Sequence, residues 1–232
     1  MHFGACSVPD YSQDRAEQYP RSCQADAEKY TFGAIAPECC RSAPRAGTAC
    51  GVNGRLIGVT GPSGVGKDTI MQGIAATAPH FGLVRRTITR APGLGGEDYE
   101  AVSDAEFDAR RDAGGFVVHW QAHGLRYGIP EATVARIGRG EKLLVNLSRS
   151  VLHDVAARFG TFTVLCITAQ PETLARRLTG RGRETTADIA RRLSRPTPAL
   201  PDGLAVITIS NDGAPEDTVR EALHLLAQGS AP

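Results

Sequence analysis

The chain has 232 residues, a formal net charge of +1, 41% hydrophobic and 22% charged residues. That length suffices for one well-buried α/β core, and charge this balanced gives no field to gather nucleic acid or an anionic membrane. No apolar run approaches the ~18–20 residues that span a bilayer, and no basic segment followed by an apolar one opens the chain. The expectation is a soluble, cytoplasmic protein.

The stretch up to residue 52 is scattered with Pro, Ser, Arg and Gly and has no apolar periodicity. Cys6, Cys23, Cys39, Cys40 and Cys50 fall there, while Cys166 alone lies later. Their spacing matches no C-x-x-C metal site, and His2 is the one histidine among them. The expectation over 1–52 is a disordered leader, or a start placed too far upstream, since valine at Val52 can be encoded by GUG. The folded domain is expected over 53–228.

"RLIGVT" (Arg55 to Thr60) is a short, β-branched apolar run that predicts a strand. It ends at "GPSGVGKDT", Gly61 to Thr69, close to the phosphate-binding pattern G-x-x-x-x-G-K-[ST]. "DTIMQGIAATA" (Asp68 to Ala78) predicts a helix with Ile70, Ile74 and Ala78 on one face. Strand, glycine loop and helix together make Gly61, Pro62, Ser63, Gly64, Val65, Gly66, Lys67, Asp68 and Thr69 candidates for binding ATP. The free N–H groups of the helix N-terminus and its positive dipole end would face the phosphates. Lys67 is the candidate charge stabiliser of the β- and γ-phosphates. Asp68 stands where the pattern has a hydroxyl. It suits a first helical turn as an acid, and its carboxylate also suits Mg2+, held directly or through water. Thr69 brings a hydroxyl one position late, toward the α-phosphate.

Further along, "GLVRRTIT" (Gly82 to Thr89) predicts a strand. Ser103 and Glu106 have capping-box spacing, so a helix should run to about Ala113. "GGFVVHW" and "LRYGI" predict two extended pieces around a turn at His123-Gly124. In "PEATVARIGRG", Pro130 suits a first helical turn, with Gly138 or Gly140 at the end. "KLLVNL", "TFTVLCIT" and "AVITIS" predict strands. "SVLHDVAARFG", "PETLARRLTG" and "PEDTVREALHLLA" predict helices. Alternation at these lengths implies an α/β fold, a parallel sheet with helices on both faces.

"RTITRAPG…GGEDYEAVSDAEF" and "GGFVVHWQAHGLRYGIP" together resemble the acceptor-binding region of guanylate kinases. The resemblance implies that Arg90 and Tyr99 clamp the acceptor phosphate, and arginine's planar fork suits phosphate oxygens. The departures matter as much. The family's base-reading glutamate falls on Val118, its guanine-contacting hydroxyls on Ile129 and Pro130, and its second phosphate arginine on Gly93. A phosphate clamp without a base reader implies an acceptor other than GMP. In the reader's place stand His119, Trp120, Gln121 and His123. His119, Gln121 and His123 carry donors and acceptors that suit sugar hydroxyls, and Tyr127 of the Y-G pair is taken with them as substrate-binding.

The ensemble "GPSGVGKD…TR…ED…HWQAHGLRYGIP…VNLSRS…RGRE", over roughly Asn53 to Gln228, resembles the ribose 1,5-bisphosphate phosphokinases, guanylate-kinase relatives of bacterial phosphonate breakdown. Asp after the loop lysine belongs to their pattern. The resemblance implies a P-loop nucleotide-kinase fold with a small acceptor-binding subdomain and an arginine-bearing lid. It implies ATP and Mg2+ as cofactors, a phosphorylated sugar as acceptor, and 5-phosphoribosyl 1-diphosphate as product. "RRLTGRGRE…IARRL" resembles the lid and implies catalytic roles for Arg177, Arg181 and Arg192. "SNDG" matches the position of the adenine contact, which implies that role for Asn211. "KLLVNLSRS" lacks the acid that often ends the corresponding strand, and Asn146, Ser148 and Arg149 stand there instead. A nucleoside monophosphate kinase is the alternative. A non-catalytic guanylate-kinase-like module is a second, disfavoured by the retained Lys67 and lid arginines.

Overall fold

The computed structural model describes residues 54–93, 96–180, 191 and 199–228. The expected leader over 1–52 lies outside the described residues. In chain order the elements are β1 (Arg55–Thr60), α1 (Lys67–Thr77), β2 (Phe81–Leu83), β3 (Thr87–Ile88), β4 (Glu100–Ala101), α2 (Asp104–Asp112), β5 (Phe116–Ala122) and β6 (Leu125–Pro130). They continue with α3 (Ala132–Gly138), β7 (Lys142–Asn146), α4 (Leu152–Arg158), β8 (Phe162–Thr168), α5 (Pro171–Gly180), β9 (Val206–Ser210) and α6 (Pro215–Gln228).

β1 is buried along its whole length, as an apolar run paired on both edges should be. It lies at the centre of a five-stranded sheet ordered β2-β7-β1-β8-β9, in which every pairing is parallel. Successive side chains of β1 point to opposite faces. Ile57 and Val59 join Ile70 and Ile74 of α1 and Val219 and Leu226 of α6. Leu56 joins Leu143 and Val145 of β7 and Leu152 and Val155 of α4. Each such fully buried Ile or Leu contributes about 1.5–3 kcal/mol relative to exposure.

That second face is shared. A four-stranded sheet ordered β4-β3-β6-β5 sends Ile88, Val118, Trp120, Tyr127 and Ile129 into the same cluster as α4. The expected helices therefore cover both faces of the parallel sheet, with a small mixed sheet added on one side. The strand expected over Gly82 to Thr89 divides between the two sheets. β2 runs parallel to β7 in the large one, while β3 pairs with β4 and β6 in the small one. Strand propensity is the same for either sheet, so local sequence does not mark the crossing.

Pro130 ends β6 opposite Phe116 instead of opening a helix, a strand end being tolerant of a missing N–H. α3 starts at Ala132 after Glu131. The capping box on α2 is formed, with the Ser103 hydroxyl accepting from the Glu106 amide and the Glu106 carboxylate accepting from the Ser103 amide. Among the described residues no helix is long and apolar enough to cross a membrane.

Candidate active site

The loop between β1 and α1 turns on three glycines in positive φ, Gly61 at 151°, Gly64 at 88° and Gly66 at 93°. Such a backbone lets successive N–H groups converge into an anion-binding concavity, which the N-terminus of α1 extends. At Gly66 the freedom is needed twice over. Its φ disfavours a side chain, and a Cβ there would stand 2.8 Å from Asn211 Nδ2. Lys67 arches back over the loop, donating to the carbonyls of Gly61 at 2.9 Å and Pro62 at 3.1 Å. Ser63 and Thr69 are exposed.

Two residues expected at the nucleotide or in the lid grip the loop from behind. Asn211 is 2% exposed. It donates to the Val65 carbonyl at 2.7 Å and accepts from the Thr218 hydroxyl at 3.0 Å. Arg177, on α5, donates to the same carbonyl at 3.3 Å. With both ends of its amide engaged by protein, Asn211 braces the loop from beneath. Asp212 anchors this segment. It accepts from the Ser210 hydroxyl at 2.6 Å and the Gln170 amide at 2.8 Å, and these bonds, the hydroxyl's first, hold its carboxyl below the usual range. Arg181 and Arg192 lie outside the described residues.

The second sheet and its loops form the other wall. The Arg90 guanidinium lies 5.6 Å from the centre of the Tyr99 ring, and the Tyr99 hydroxyl donates to the Ala91 carbonyl at 2.5 Å. The two expected clamp residues thus stand together. Beside them Arg86 grips Glu97 through two parallel bonds, Nε to Oε1 at 2.7 Å and Nη2 to Oε2 at 2.5 Å. The same guanidinium lies over the rings of Trp120 at 5.7 Å and Tyr127 at 5.1 Å. Those rings stack 5.2 Å apart and nearly parallel, and Trp120 Nε1 donates to the Ser148 hydroxyl at 3.2 Å.

Asn146, at the end of β7, joins the two walls. Its Nδ2 lies 3.4 Å from Asp68 Oδ1 and 3.5 Å from Glu97 Oε2, long contacts at the limit of a hydrogen bond. With two N–H groups, one amide can face both carboxylates and separate their charges. Asp68 is thereby brought to the junction of loop and wall. Among the described residues no group of three or more His, Cys, Asp or Glu side chains is gathered for a metal. The donor set fits magnesium in another way, because this ion accepts one or two carboxylates and takes its remaining oxygens from phosphate and water.

His119 and Gln121 are exposed, whereas Val118 and Trp120 are buried. Strand alternation sends the first two to the outer face, away from Arg86 and Glu97. His123 is also exposed and sits in the hairpin turn at φ 53°. Of the expected substrate-binding residues, Arg90, Tyr99 and Tyr127 stand at the wall, with Tyr127 buried in its ring stack. The positions matching the guanine-reading groups, Val118 and Ile129, face each other across β5 and β6 as a buried apolar pair. Arg86 and Glu97 escaped the sequence reading because neither helical nor strand periodicity pairs residues 11 positions apart across a loop. Their one signal was an acid in "GGEDY" beside the expected phosphate clamp.

A phosphate loop on a parallel sheet, facing a small sheet that carries its own arginines, defines a P-loop kinase of guanylate-kinase fold. The AAA domain family matches residues 57–194. The structure superposes on guanylate kinase from Anaplasma phagocytophilum with a TM-score of 0.56 at 18% identity, over 78% of this chain and 88% of that one, a likeness of fold alone. In sequence the chain is 50% identical over 175 residues to ribose 1,5-bisphosphate phosphokinase PhnN of a Ruegeria species, spanning 75% of this chain and 92% of the relative. It is 44% identical over 178 residues to the protein of that name from Agrobacterium fabrum, spanning 75% and 97%. The chain belongs to the ribose 1,5-bisphosphate phosphokinase family.

Proposed function

We propose that this enzyme transfers the γ-phosphoryl group of ATP to the 1-phosphate of ribose 1,5-bisphosphate, giving 5-phosphoribosyl 1-diphosphate and ADP. An oxygen of the 1-phosphate attacks the γ-phosphorus, a new P–O–P bond forms, the β–γ bridge bond breaks, and its electron pair leaves with ADP. A phosphate monoester with a second pKa of about 6 is largely ionised at neutral pH, so no side chain need act as general base. The work is positioning and charge stabilisation. Gly61 to Thr69 cradle the ATP phosphates, with Lys67 swinging from the loop carbonyls onto the β- and γ-oxygens. Arg90 and Tyr99 hold a phosphate of the acceptor. Arg181 and Arg192 are assigned to the transferring group, with Arg177 bracing the loop. Asp68 would hold magnesium, which when bound supplies charge neutralisation between the polyphosphate and this carboxylate. Use of ATP and a phosphorylated sugar would suit a cytoplasmic enzyme.

The observation that carries this reading is a phosphate loop joined through Asn146 to an acceptor wall whose base-reading positions are the buried pair Val118 and Ile129. The test supplies ATP with ribose 1,5-bisphosphate or with GMP and follows the diphosphate product by phosphorus NMR. Ribose 1,5-bisphosphate should be preferred by about a hundredfold or more, since a site without the guanine-pairing groups gains little from the base. Equal or better use of GMP would reinstate a nucleoside monophosphate kinase.

A further inference from the structure

We propose that Glu97 is a specificity-determining residue of the acceptor site, accepting a hydrogen bond from the sugar hydroxyl next to the reacting phosphate, the 2-hydroxyl of the ribose. This rests on the acceptor being ribose 1,5-bisphosphate. A doubly phosphorylated pentose asks two things of a site, cations for its phosphates and acceptors for its hydroxyls. Arg86 and Arg90 only donate, and the Trp120 N–H is taken by Ser148. Glu97 supplies charged acceptor oxygens on this wall, and it reaches the loop end of the site through the amide of Asn146. Its loop also carries Arg90 and Tyr99, so phosphate and hydroxyl recognition would come from one segment.

The carboxylate is preorganised. Arg86 takes one lone-pair direction of each oxygen, Asn146 approaches Oε2, and the outer direction of Oε1 is left for a ligand. The arginine is itself fixed over the Trp120 and Tyr127 rings, and its charge offsets that of Glu97, so the acid does not repel the phosphates beside it. The Glu97 side chain keeps 15% of its surface exposed, an opening for a ligand. The neighbouring Asp98 is also paired with an arginine, Arg85 at 3.1 Å, but keeps 81% of its side chain exposed.

The experiment compares kcat/KM for ribose 1,5-bisphosphate and 2-deoxyribose 1,5-bisphosphate in the wild type and in Glu97→Gln, with magnesium titrated in parallel. The wild type should favour the ribose ester by roughly 10- to 100-fold, the scale of one hydrogen bond to a charged group. Glu97→Gln should lose most of that preference through a raised KM for the ribose ester, with turnover of the deoxy ester little changed. If Glu97→Gln melts below assay temperature, the double variant Arg86→Met/Glu97→Gln removes the buried cation as well and should lose the same preference. A wild type that uses both sugars equally, a variant that slows both alike, or a shift only in half-saturating magnesium would each overturn the assignment. Absence of wild-type turnover on ribose 1,5-bisphosphate overturns the function reading and this inference with it. Normal turnover with an unchanged ratio overturns this inference alone.

Discussion

The working groups of the phosphate loop lie between Gly61 and Thr69, whereas Arg86, Glu97, Trp120, Tyr127 and Asn146 reach the acceptor wall from five separate segments. A loop of this kind is shaped by its own glycines and is braced from outside at the Val65 carbonyl, where Asn211 and Arg177 attach. In the wall, Trp120 and Tyr127 are local partners across the β5–β6 hairpin, and the other groups are brought to them from separate segments. The wall is held by a buried ion pair, a ring stack and a single amide spanning the gap to Asp68. The two halves should therefore fail differently when cut. The loop should lose rate and keep its fold, and the wall should lose stability before it loses chemistry.

Lys67→Ala gives the largest expected effect. Turnover should fall by about a hundredfold or more, the scale of losing a main charge stabiliser. The melting temperature should stay within about 2 °C, because a half-exposed loop lysine contributes little to stability. Steady-state kinetics with a calorimetric scan reads both, and near-normal turnover would remove Lys67 from the mechanism.

Arg86→Met tests the opposite half. It leaves Glu97 without its cation in a largely buried site, at a cost of about 3–5 kcal/mol, and each kcal/mol moves the melting temperature by about 2–4 °C at this size. A fall of roughly 6–20 °C is expected. A melting temperature equal to that of the wild type would mean the wall does not depend on the ion pair.

Asp68→Asn sits at the seam and should have the smallest effect. If the carboxylate holds magnesium, the half-saturating concentration should rise by about 3- to 10-fold with melting little changed. Unchanged metal dependence would leave Asp68 as an acid of the first turn of α1 and no more.

How much of this was legible in the sequence follows the same division. β1, the loop and α1 were readable because their signals are local. A β-branched apolar run, glycines at fixed spacing and apolar residues at helical period each act within a few residues of one another. The capping box of α2 was readable for the same reason. Pro130 misled because proline suits a strand end as well as a first helical turn, and only the pairing with Phe116 decides between them. His119 and Gln121 have the right chemistry for sugar, but which face of β5 meets the site depends on what packs beneath it. Trp120 and Val118 took the inner face.

The sequence alone determined the glycine-loop pattern and the alternating α/β order, since each rests on residue types at short spacing, while the clamp role of Arg90 and Tyr99 is what the resemblance implies. Only the tertiary structure decided that one predicted strand would divide between two sheets, that Asn211 would lie beneath the loop, and that Arg86 and Glu97 would meet beside Asn146. Those outcomes depend on burial and charge pairing between segments far apart in the chain. Their energies arise only once the two sheets close on a common core.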